Sequence, residues 1–99
     1  MPKKTRDYHS WRLKKLADPE IAEGYLNSAL EDSPQMFLKA LLNVTQAQKS
    51  VAAIAKASGI KRETIYRALS KSGNPTLDTL SAVLETLGLR IQVAAQRHK

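Results

Sequence analysis

The sequence predicts an all-α protein of five helices followed by a short C-terminal strand, and three observations carry that reading. The body is rich in Ala, Leu, Lys and Glu, all good helix formers, while Gly and Pro number four each and stand apart like punctuation. Apolar residues recur at spacings of three and four, the period of a helix with one buried face. Cap and stop residues fall at the ends of those stretches: Asp18-Pro19, Ser33-Pro34 and Thr76 at starts, Gly59 and Gly88 at stops.

Ninety-nine residues suffice for one compact core and not for two, so one fold must carry the function. Sixteen Lys plus Arg against nine Asp plus Glu leave a formal charge of +7, which favours a polyanionic partner such as nucleic acid or an acidic membrane surface. With no cysteine the chain can form neither a disulfide framework nor a Cys-based zinc site, and it suits a reducing, cytoplasmic setting. No apolar run approaches the roughly 18 residues of a membrane span, and the polar, basic N-terminus has no apolar stretch behind it, so the expected protein is neither exported nor embedded.

Taken in order, residues 1–17 carry Lys3, Lys4, Arg6, Arg12, Lys14 and Lys15 against Asp7 alone, with no sustained helical stripe. They read as a flexible basic arm whose Tyr8, Trp11, Leu13 and Leu16 could dock on the domain or on a partner. The domain proper is expected over 18–95. Asp18-Pro19-Glu20 starts the first helix, with Ile21, Tyr25, Leu26, Ala29 and Leu30 on its inner face. Ser33-Pro34 starts the second, expected through about Val44 with Phe37, Ala40, Leu41 and Val44 inward. From Ser50 the helices shorten: Val51, Ile54, Ala55 and Ser58 define two turns ending at Gly59, and Arg62 to Ser70 form the next with Ile65, Ala68 and Leu69 inward. Gly73-Asn74-Pro75 break the chain, and Thr76 caps a last helix whose apolar set is Leu77, Leu80, Val83, Leu84 and Leu87. Leu89 to Ala95 then alternate with a period of two, which reads as a strand paired with a second copy or another protein, or else as an extended tail packing Ile91 and Val93 on the core. Residues 96–99 form the tail.

The spacing of Ala55, Gly59, Ile60, Ile65 and Leu69 is the one a helix-turn-helix demands. Two helices meeting at a steep angle need a small residue at the crossing, a residue tolerant of positive φ in the turn, and apolar plugs between them. The second helix is then held clear of the body, where its outer side can enter the roughly 12 Å major groove of DNA. That outer side carries Lys61, Arg62, Glu63, Thr64, Tyr66 and Arg67. Arg62 and Arg67 suit guanine O6 and N7, Glu63 suits cytosine N4, and Lys61 and Tyr66 suit phosphates, as do Lys49 and Lys56. Residues 39–71 support the assignment with Lys39, Lys49, Lys56, Lys61, Arg62, Arg67 and Lys71 against Glu63 alone.

The run from Gly59 to Ser70, with Gly73-Asn74-Pro75-Thr76-Leu77 and Leu87-Gly88-Leu89-Arg90, resembles the Cro and phage-repressor type of helix-turn-helix. Together with Pro19-Glu20-Ile21-Ala22, Tyr25-Leu26-Asn27, Ala29 to Asp32 and Phe37 to Leu41, the chain over about 18–93 is similar to the HigA-like addiction-module antidotes. The resemblance implies a non-catalytic antitoxin that binds and neutralises a RelE-like toxin, typically a ribonuclease acting on messenger RNA, and that represses its own operon. Two positions depart from the family pattern: Val51 stands where a phosphate-bracing Gln is usual, and Lys61 where a Ser caps the recognition helix.

An enzyme would need a constellation that the sequence does not assemble. His9 and His98 lie near the two ends, there is no His-x-x-x-His pair or glycine-rich phosphate loop, and Asp18, Glu20 and Glu23 read as the first turns of a helix. No metal or cofactor is expected. Sequence-specific binding by one recognition helix calls for a homodimer on a near-palindromic operator, with the last helix and 89–95 as candidate contacts. The competing reading is a free-standing repressor with no toxin. Residues 18–32, with Asp18, Glu20, Glu23, Glu31 and Asp32 and no cation, suit either a basic toxin or a mere amphipathic scaffold.

Overall fold

The computed structural model describes residues 15–70 and 72–96, so most of the expected basic arm, Lys71 and the end of the tail at 97–99 lie outside the described residues. Among the described residues five complete helices follow one another: α1 (Pro19–Asp32), α2 (Pro34–Gln48), α3 (Val51–Ser58), α4 (Arg62–Ala68) and α5 (Leu77–Thr86). Residues 15 and 16 are also helical, and Leu16, within the stretch read as an arm, is buried in the core.

The caps explain where the helices begin. Asp18 accepts from the Glu20 amide at 2.9 Å, Ser33 from Met36, Ser50 from Ala53 and Thr76 from Thr79 at 3.1 Å each, so four helix starts have an orphan backbone donor satisfied by a side chain. Ser33 serves twice, because its own amide also donates to Ala29 O and closes α1. No loop separates α1 from α2. α2 continues to Gln48, a turn beyond the expected end at Val44, since Thr45-Gln46-Ala47-Gln48 holds no breaker. Thr45, fully buried, satisfies its hydroxyl by donating to Leu41 O at 2.8 Å.

α1 packs along α2, where Asn43 Nδ2 donates to Tyr25 Oη at 2.9 Å, and α3 touches α2, α4 and α5. The core fills the space between them: Leu41, Val44, Ile54, Ile65 and Val83 are fully enclosed and come from four helices. Each such side chain contributes about 1.5–3 kcal/mol by leaving water.

Several expectations need correction. Ile21, Leu30 and Leu77, assigned to inner faces, are exposed. α4 ends at Ala68 instead of Ser70, with Leu69 already in a turn although its side chain is buried. Among the described residues there is no strand: 89–96 have no regular secondary structure, and a strand requires a ladder partner that a single chain does not offer here. Leu89 packs against the core, but Ile91 and Val93 do not join it, being 43% and 91% exposed.

Candidate functional site

α3 and α4 are short because the sequence between them turns sharply. The amide of Gly59 donates to Ala55 O at 2.9 Å, and the glycine holds φ at 79°, a left-handed conformation that costs an L-residue with a β-carbon roughly 1–2 kcal/mol. Ser58 Oγ accepts from the Ile60 amide at 3.2 Å, Ile60 is half-buried, and Lys61 in extended conformation leads into α4. No side chain caps α4 at Lys61.

Ile54 and Ile65, both fully buried, lock the two helices together, with Val51 and Leu69 beside them. Beyond α4, Gly73 lies so close to the end of the helix that a β-carbon there would strike the Ala68 carbonyl and come within 2.6 Å of Arg67 O. α4 is thus entered through a glycine turn and left through a second tight one, where the Gly73 amide donates to Ser70 O at 2.9 Å.

This arrangement divides α4 into two sides. Ile65, Ala68 and Leu69 face the core, Thr64 lies half-buried at the margin, and Arg62, Glu63, Tyr66 and Arg67 are exposed. Arg62 with Tyr66 and Glu63 with Arg67 are each four residues apart, so they form two adjacent rows on the outer surface. Lys61 and Lys56 are exposed nearby in sequence. The expected set therefore presents a charged helical face, except for two members. Thr64 is partly withdrawn, and Lys49 directs its ammonium to the Thr86 carbonyl at 3.4 Å, where it steadies the C-terminal end of α5.

Two concave surfaces lie away from this face. One, of about 410 Å³, is lined by Tyr25, Asp32, Met36, Lys39 and Asn43 between α1 and α2. The other, of about 1050 Å³, runs between α1 and residues 88–96. Sequence periodicity gave no sign of this second groove, because it is formed by an irregular segment. Among the described residues no group of three His, Cys, Asp or Glu is placed to hold a metal ion, and no helix is long and apolar enough to cross a membrane.

The chain matches the family described as "probable addiction module antidote protein" over residues 11–95. A Haemophilus influenzae protein described only as uncharacterized is 40% identical over 83 residues, covering 83% of this chain and 84% of that protein. No solved structure matches. The match over 11–95 takes in all five helices, the exposed face of α4 and part of the stretch read from sequence as an arm; the chain belongs to the family of probable addiction-module antidote proteins.

Proposed function

We propose that this antidote is the antitoxin of a type II toxin–antitoxin module, that it neutralises a RelE-like ribonuclease toxin by direct binding, and that it represses its own operon. In this reading α3 and α4 form a phage-repressor-type helix-turn-helix. The observation that carries the DNA-binding half is the row of Arg62, Glu63, Tyr66 and Arg67, exposed together on a short helix whose opposite side is locked in the core. Arg62 and Arg67 read guanine edges, Glu63 accepts from cytosine, and Lys61, Thr64, Tyr66 and Lys56 position the protein on phosphates. Lys49 joins them only by releasing Thr86 O. A cytoplasmic homodimer sets two α4 helices about 34 Å apart on a near-palindrome, one helical turn of DNA. The toxin-binding half is supported by family membership and by the acidic run at 18–32.

The test is co-expression of this chain with the product of an adjoining reading frame that encodes a small basic protein. Poor growth with that product alone, rescued growth with both, and a complex on purification are expected; retarded migration of the operon's own promoter DNA by this chain completes the reading. Promoter binding with neither toxicity nor complex would leave a free-standing repressor.

A further inference from the structure

The groove between α1 and residues 88–96 has chemistry that the DNA-binding reading does not use. On α1 its wall is Glu23, Asn27, Leu30 and Glu31, residues spaced by four, three and one and hence on one side of the helix. Leu30, exposed although apolar, is part of this wall. The other wall is the irregular run with Leu89, Arg90, Gln92 and Ala94. The last backbone hydrogen bond shown along that run is from the Leu89 amide to Leu84 O, and among the described residues none is shown for the backbone of 90–95. These six residues thus offer backbone donors and acceptors that a bound main chain can meet.

Charge decides the occupant. Of the five carboxylates at 18–32, Glu23 and Glu31 line the groove, and that stretch of α1 carries no cation to neutralise them. Glu31 lies in the last turn of α1, where a negative charge opposes the helix dipole and an added cation relieves the conflict. The walls also carry amides, Asn27 and Gln92, which both donate and accept as a peptide backbone requires, and two leucines, Leu30 and Leu89, that can cover apolar side chains. Arg90 is the single cation among the wall residues, against the two carboxylates of Glu23 and Glu31.

We infer that this groove binds one extended, basic segment of the toxin, with Glu23 and Glu31 pairing its cations and the 90–95 backbone and wall amides meeting its main chain. The inference rests on the antitoxin reading and names the surface through which it operates. It also separates the two duties of the chain, because the groove shares no residue with the α4 face.

The probes are labelled octapeptides of alternating Lys and Val or alternating Glu and Val, titrated into the full chain by fluorescence anisotropy, together with the co-expressed toxin. The Lys-Val peptide is expected to bind, to weaken tenfold or more with the double variant Glu23→Lys/Glu31→Lys, and to yield to the Glu-Val peptide in that variant. Both positions are exposed, and unchanged thermal unfolding and promoter binding would show the variant intact. The toxin is expected to leave the variant as the Lys-Val peptide does. Equal retention of toxin by wild type and variant overturns the surface while leaving the antitoxin standing; failure of wild type to hold any toxin overturns the antitoxin reading itself. If sedimentation shows a dimer that the Lys-Val peptide dissociates, the groove belongs to a second copy and the inference is wrong.

Discussion

Residues 18–32 hold five carboxylates and no cation, whereas residues 39–71 hold seven Lys or Arg and one carboxylate, Glu63. The described residues of both regions are mainly helical, and both bury an apolar side in one continuous core, Leu26 for the first and Ile65 for the second. They differ in how the helix is started. Asp18 caps α1 with its carboxylate, while Lys61 leaves α4 without a side-chain cap and places a cation there instead. A capping Ser or Asp would strengthen α4 by about 1 kcal/mol. α1 thus starts on a cap that satisfies a backbone donor, whereas α4 starts on an exposed cation and rests on its buried side for its stability.

The comparison can be broken at its shared base. Ile65→Ala is expected to cost about 2–5 kcal/mol, because the site is fully buried between helices and can collapse only in part. Denaturant unfolding monitored by circular dichroism measures it, and toxin binding and DNA binding should fail together. Sharper separation comes from Arg67→Ala, expected to weaken promoter binding by about 1–3 kcal/mol and relax sequence preference while leaving the unfolding midpoint and toxin complex unchanged. Binding to the promoter that Arg67→Ala leaves unaltered would remove Arg67 from the reading set. Gly59→Ala, at φ 79°, should destabilise by about 1–2 kcal/mol and lower DNA affinity more than toxin affinity, since the turn orients α4. The smallest effect is expected from Ser33→Ala, about 1 kcal/mol in thermal unfolding, which should loosen α1 against α2 and spare promoter recognition at low temperature.

The caps were the most legible part of the fold. Asp18, Ser33 and Thr76 accept the bonds their identities foretell, since capping is settled within four residues and needs no knowledge of the rest of the chain. The interior of the α3–α4 pair was legible for a related reason: Ala55, Gly59, Ile60 and Ile65 are constrained by one local corner. Ile21 and Leu30 were misassigned because each lies roughly 90° from the middle of the buried stripe of α1, and periodicity alone does not say how wide the covering layer is. The strand at 89–95 was read from alternation, which reports a preference for extended backbone, but ladder pairing depends on a second strand that no local pattern supplies, and 89–96 have no regular secondary structure. Of the site, the exposed row on α4 was visible in the sequence. The contact of Lys49 with Thr86 O, thirty-seven positions away, and the groove beside α1 were not, because both arise from tertiary placement.

The double duty of Ser33 has a consequence for how this chain can change over time. A corner that closes one helix with its amide and opens the next with its hydroxyl has no spare residue. Inserting one amino acid inside α1 ahead of it would rotate the preceding turns by about 100°, carrying Ala22 and Leu26 out of the core and the carboxylates of Glu23 and Glu31 away from the groove. Relatives that keep this architecture should therefore differ by replacement between Asp18 and Gln48 and gather their length differences after Leu89, where the chain has left the packed layer.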